Sequence, residues 1–312
     1  MPVNTQIHVD QRLTDMSVAQ IQAADSFVAN QLFPTVPVSK RSDLYTVYDR
    51  NELWRSDAGK RAPNSESRVR DYSLSTASYY CDRISIAYDL TEEEMANSDP
   101  ALDPEGDAMA LLTQDLMIEQ DVSWAAAFFA NNLWGTSLTP SPLWSDAASD
   151  PIADHRLAAQ TIRLNGGREA NKIVYGRLVY DELLDHPDVL DRIKYTQSAV
   201  GLSASLLAGL FGVDQVLVSN AVRNTAQEGL AAVYARIAGS HALMVHAAPA
   251  PGLRIPSAGY TFRWTGLIGA TDGFRVKRID IPEKSTQRIE LDHTYDQVIV
   301  ASELGYFFNS AV

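Results

Sequence analysis

"SDAGKRAPNSES", Ser56 to Ser67, holds no large apolar side chain, so it cannot fill a core. Two stretches that can flank it. "LYTVYDRNELWR" (44–55) is rich in Tyr, Val, Leu and Trp, and "YSLSTASYYCDRISIAYDL" (72–90) alternates with period two. Together they read as a long β-hairpin with a polar tip. In the return stretch Tyr72, Leu74, Thr76, Tyr80, Ile84, Ile86, Tyr88 and Leu90 share one face. Ser73, Ser75, Ala77, Cys81, Arg83, Ser85 and Ala87 share the other. At about 3.3 Å per residue, the 12-residue outgoing strand would span roughly 40 Å. A two-stranded ribbon alone is marginal in water, so this one needs a neighbour.

The longest helical signal follows, from Asp103 to Asn132. Asp103 suits an N-cap, Pro104 the first helical position, and Glu105 and Asp107 the dipole's positive end. Leu111, Ile118, Val122, Ala125 and Phe129 form the expected apolar stripe, widened by Met109, Leu112 and Leu116. Asn131, Asn132 and Gly135 mark the end.

Upstream, residues 1–38 are thinly apolar and read as an arm lying on something else. Val18, Ile21, Ala24 and Val28 are spaced for a short helix, and Pro34 and Pro37 favour an extended path. Downstream, 136–151 is a loop rich in Pro and small residues. Beyond it the signals mix: helices at "IADHRLAAQTIRL", "RLVYDELLDH" and "SASLLAGLFG", strands at "NKIVYG", "VDQVLVSN", "GSHALMVHAA" and "FRVKRIDI". After a turn at "PEKS" come strands "QRIELD" and "YDQVIVASELGYFF". The fold class is α+β.

Charge divides the chain. Residues 40–83 hold nine bases, Lys40, Arg41, Arg50, Arg55, Lys60, Arg61, Arg68, Arg70 and Arg83, against seven acids. Residues 84–155 hold fourteen acids and no Lys or Arg, in a chain of net charge -13. The charges can be solvated faces. They can also mean that one copy's basic ribbon lies on another copy's acidic helix region.

Chemistry is sparse. No GxGxxG, Walker A, GxSxG or HExxH occurs. His241 and His246 are five apart, hence on opposite faces of a strand. Cys81, the only cysteine, reads as a packing residue and leaves no disulfide framework. "TEEEMANSD" (91–99) lacks the spacing of a calcium loop and reads as a solvated turn, and "NGG" (165–167) as a turn. Neither a signal peptide nor a membrane span is expected. An acidic chain is poorly suited to sequence-specific DNA binding.

The order arm, long hairpin, very long helix, mixed region, strand-rich tail resembles the major capsid proteins of tailed bacteriophages, the Hong Kong 97 fold. The stretches that carry the resemblance are "ANQLFPTVPVSKRSDLYTVYDRNELWR", "RAPNSES", "DLTEEEMANSDP" and "ELGYFFNSAV". The resemblance implies an N-terminal arm (1–38), an extended loop (39–90) and a peripheral domain with a spine helix (91–164). It further implies a mixed axial domain (165–272) and C-terminal strands (273–312) returning to the peripheral domain. It implies pentamers and hexamers in an icosahedral shell around double-stranded DNA, assembled in the host cytoplasm and found in the virion. Arg55, Lys60, Arg61 and Arg68 of the loop would contact a neighbour, and Glu92, Glu93 and Glu94 would form the acidic counterpart. A separate scaffolding protein, a portal and decoration proteins are the expected partners. DNA would be contacted non-specifically at most, and no cofactor, metal, catalysis or membrane is expected. An encapsulin-like cargo shell and a soluble α+β enzyme are the rival expectations.

Overall fold

A computed structural model describes residues 22–48, 50, 54–71, 73–97, 103–193, 203–252, 255–266 and 273–312. Two five-stranded sheets organise them. The first runs β1 (Thr35–Val38), β11 (Gly259–Trp264), β13 (Thr286–Ile299), β12 (Phe274–Ile281), with β4 (Asp82–Thr91) also paired to β13. "QRIELD" and "YDQVIV" are therefore one strand, β13, fourteen residues long. The second sheet runs β5 (Thr136–Leu138), β14 (Gly305–Phe308), β10 (Ala242–Val245), β6 (Lys172–Gly176), β7 (Gln215–Ser219). The chain passes between the sheets repeatedly. β5 precedes the mixed region yet joins the second sheet, β11 returns from that region to the first, and β14 ends the chain in the second.

The long helix, α3 (Pro104–Phe128), has 25 residues, about 37 Å at 1.5 Å each. Asp103 caps it by accepting from the Gly106 N–H at 3.1 Å. It stops short of Asn132 because aromatics take over: the Trp134 indole donates to the Phe128 carbonyl at 2.7 Å, within a cluster of Phe33, Trp124, Phe128 and Trp134. The buried stripe is Ala108, Leu112, Leu116, Gln120, Asp121, Trp124 and Phe128, whereas Leu111 is 52 % exposed. The stripe is thus rotated from the expected one. Apolar residues surround this helix, so spacing alone does not choose a face; Ile289 and Leu291 of β13 do.

Part of the first 38 residues belongs to the chain's own core. Phe27, Val28, Leu32 and Phe33 are buried. Helix α1 (Ala29–Leu32) is clamped at both ends: Asp121 accepts from the Val28 and Ala29 N–H groups at 3.2 and 2.9 Å, and Lys172 donates to the Gln31 and Leu32 carbonyls. Val18 and Ile21 lie outside the described residues. Pro37 sits in edge strand β1, where a missing N–H is tolerated.

Four more helices lie in the mixed region: α4 (Pro151–Gly166), α5 (Arg177–Asp185), α6 (Pro187–Ile193) and α7 (Ala204–Phe211). β8 (Val222–Asn224) and β9 (Tyr234–Arg236) form a small ribbon of their own. Among the described residues no helix is long and apolar enough to cross a membrane.

Candidate functional site

The hairpin exists but differs from expectation in two ways. β2 (Ser42–Tyr48) and β3 (Leu74–Tyr80) pair over seven residues each, roughly 23 Å rather than 40. Residues 49, 51–53 and 72 lie outside the described residues, and 54–71 form a loop, not strand. The return stretch also breaks at Cys81, where β3 ends its pairing with β2 and β4 begins pairing with β13. Burial changes parity there: Tyr79 and Cys81 are buried before the break, Leu90 after it, with Ile84, Ile86 and Tyr88 partly buried. Two exchanged bonds pin the break. The Cys81 N–H donates to the Arg41 carbonyl at 2.9 Å, and the Arg41 guanidinium donates to the Cys81 carbonyl at 3.1 Å. Cys81 is fully buried, and burial pushes its thiol up to about 12, so it packs rather than reacts.

Tyr79 and Tyr45 pack on Phe262 of β11, with ring centroids 4.6 and 5.7 Å apart, and anchor the ribbon's base. The opposite face of the ribbon is open: Leu44, Leu74 and Tyr80 are 64, 51 and 51 % exposed. At the tip, Arg55 pairs with Asp57 at 2.9 Å and Arg70 donates to the Arg55 carbonyl. Arg68 donates to the Asp57 carbonyl, and Arg61 to the Ser65 carbonyl. Asn64, at φ 65, allows the tight turn beneath Ser65. Much of the tip's basic charge therefore organises the tip. Lys60 and Arg61 have no carboxylate partner among the described residues.

The acidic run is a helix start, not an irregular turn. α2 (Glu92–Asn97) opens with a capping box: Glu94 accepts from the Thr91 N–H, and Thr91 Oγ1 accepts from the Glu94 N–H, both at 3.1 Å. Glu94 thus has a structural partner, while Glu92 and Glu93 are exposed with no ion pair among the described residues. Glu93, Glu94 and Asp107 rim an open depression of about 700 Å³ whose floor includes Tyr88, Leu90 and Ala108. Other acids of this region are matched at home: Asp89 by Arg288 at 2.6 Å and Glu105 by Arg278 at 2.8 Å. Arg83 is spent on Asp292 and Glu290. No ion pair among the described residues joins the tip to 92–94 within one chain.

In the first sheet, three strands share a buried carboxylate that single-strand patterns do not reveal. Asp292 is fully buried and receives Arg83, Arg275 and the Ser85 hydroxyl. Burial alone would raise its pKa; those three donors hold it well below the carboxylate range.

No described group of His, Cys, Asp or Glu is arranged to hold a metal. His241 and His246 flank β10; His241 Nδ1 accepts from the Ser310 N–H, and His246 Nδ1 bonds to the Glu169 carbonyl, both partners distant in sequence. Ser149 and His186 lie 3.1 Å apart, but His186 Nδ1 accepts from the Asp188 N–H. That places the imidazole proton on Nε2, which then donates to Ser149 instead of taking its proton.

No family model matches the chain. It is 22 % identical over 314 residues to a major capsid protein of Pseudomonas phage JBD67, covering 99 % of both chains. It is 24 % identical over 220 residues to that of Burkholderia phage BcepMu, covering 69 % of both. Among solved structures, a phage-related protein from Bordetella bronchiseptica RB50 superposes with a TM-score of 0.71 at 18 % identity, over 96 % of both chains. The capsid of cyanophage P-SCSP1u gives 0.60 at 12 % identity, over 93 % of this chain and 89 % of that one. The chain has the Hong Kong 97 capsid fold. The SrpI encapsulin of Synechococcus elongatus PCC 7942 shares the fold, with a TM-score of 0.59 at 11 % identity over 96 % and 95 % of the chains.

Proposed function

We infer that the protein is the major capsid protein of a tailed phage, a non-enzymatic subunit that assembles with its own copies into the head around double-stranded DNA. The observation that carries this is the alignment with the JBD67 capsid protein from end to end. An exposed ribbon with an apolar outer face supports it, because such a face is left for another chain to cover. Repetition makes weak contacts sufficient: identical interfaces close a symmetric shell. Assembly in the host cytoplasm, a separate scaffolding protein, a portal and decoration proteins belong to this proposal. Within it, Lys60 and Arg61, with Arg55 and Arg68 shaping the tip, meet Glu92 and Glu93 on an adjacent copy.

The encapsulin likeness favours a second reading, a shell around protein cargo. Expression of the protein alone and with its neighbouring gene products, followed by electron microscopy and nucleic-acid extraction, separates the two. Shells that package DNA are expected. Shells filled with a protein carrying a docking tail would replace the first reading by the second, and a strictly monomeric particle throughout would end both.

A further inference from the structure

The ribbon touches its own subunit at a second place, far from its base. The Arg50 guanidinium donates to the Asn165 carbonyl at 2.5 Å, and Arg50 also lies over the Trp54 ring, 5.6 Å from its centroid. Asn165 is in the last turn of α4, where unsatisfied carbonyls carry partial negative charge and suit a cation. Gly167 ends that helix in the left-handed region, at φ 63, and its bare Cα faces the indole. A Cβ there would lie 2.9 Å from Trp54 Cζ2. The 165–168 turn is therefore shaped to receive Arg50 and Trp54.

The seat is only half closed. Trp54 remains 53 % exposed. Between the seat and the ribbon's base runs an open groove of about 1740 Å³ lined by Tyr45 and Val47 of the ribbon's inner face and by Ile255, Tyr260 and Val300. The ribbon is thus an arch held at two ends, with an unfilled apolar underside. A ribbon of seven pairs is marginal by itself. Every copy of the chain carries the same seat and the same Arg50 and Trp54, so exchanging the contact between copies costs little.

We propose that the 165–168 turn is the ribbon's docking seat, filled by the chain's own Arg50 and Trp54 in the free subunit and by those of a second copy after assembly. The exchange rests on the shell reading above; the seat itself does not. Exchange turns a contact that holds the ribbon back into one that joins subunits.

The test places a photo-crosslinking residue, p-benzoylphenylalanine, in place of Trp54 and maps the crosslinked peptides by mass spectrometry. In free subunits the crosslink is expected within one chain, on the peptide containing 165–168, and Arg50→Ala should reduce it. In shells grown from equal amounts of isotopically light and heavy subunits, the same peptide should appear joined across the two isotopes. A free-subunit crosslink elsewhere overturns the seat. Crosslinks in shells that stay within one isotope overturn the exchange. Because the bulky label could perturb the ribbon, hydrogen exchange is measured on unlabelled protein: Trp54→Ala should speed exchange at 166–168 in free subunits, and an unchanged rate also counts against the seat. Failure to form shells under any condition would remove the shell reading and the exchange with it, while the free-subunit results still decide the seat.

Discussion

Single carboxylates take opposite electrostatic roles in this subunit. Asp292 is buried beneath Arg83 and Arg275, and its pKa is depressed. A depressed carboxylate contributes stability above its unfolded value, here 3.8, and loses it as pH falls below. Removing one partner of a buried pair strands the other, at about 3–5 kcal/mol. Asp292→Asn should therefore lower the urea-unfolding free energy of the subunit by about 3 kcal/mol near neutral pH; a loss below about 0.5 kcal/mol would show that the strands hold without the network. Asp121 is the reverse case. Burial pushes it up to about 6, against the Ala29 and Val28 N–H groups that favour its charge. The folded state then keeps a proton that the unfolded chain has released, so stability falls as pH rises through 4 to 6. Between pH 5 and 7 the native protein should lose about 1 kcal/mol relative to Asp121→Asn. Parallel stability curves for the two proteins over that range would remove Asp121 from the account.

At the scale of elements, legibility followed locality. The N-cap and Pro of α3, the polar tip, the helix at 151–166 and the strand at 172–176 were all readable, because caps, turn residues and short apolar runs act within a few residues. The capping box Thr91–Glu94 was present as a spacing but was masked by the run of three acids around it. The break at Cys81 was not readable: the alternation continues through it, and only the change of partner from β2 to β13, more than 190 residues away, creates it. The seat for Trp54 was hidden for the same reason, since Arg50 and Asn165 are 115 residues apart. The tip offers the sharpest test at this scale. Exposed ion pairs contribute about 0.2–1 kcal/mol each, so a single reversal should be tolerated. Arg55→Glu, Lys60→Glu and Arg61→Glu together should leave the circular dichroism spectrum and melting of the free subunit unchanged, because the tip fills no core, yet block or misdirect shell growth. Compensation is best sought with Glu92→Lys and Glu93→Lys, leaving Glu94 to cap α2. Normal assembly of the triple variant at low and high salt would sink the contact.

For the whole molecule, the decisive property is an acidic chain whose described bases are largely engaged. The net charge is -13. Arg83, Arg275 and Lys277 pair with Glu290 and Asp292, Arg288 with Asp89, and Arg278 with Glu105. Tight DNA binding draws on the release of counterions by free Lys and Arg along the phosphates. Spending these bases on phosphates would strand buried or half-buried carboxylates, Asp292 above all, at a cost larger than an exposed phosphate contact returns. On the proposed shell function, weak gripping also suits packaging, because like charges within a Debye length of about 8–10 Å repel and leave the DNA free to move. In a gel-shift titration at about 0.15 M salt the subunit should show no sub-micromolar affinity for duplex DNA of any sequence. Lowering the salt should add only weak, sequence-independent binding, to be lost when Lys60 and Arg61 are changed to Glu. A sub-micromolar complex at physiological salt would instead require a basic surface that these ion pairs do not leave free, and would overturn the reading that this acidic chain does not grip DNA.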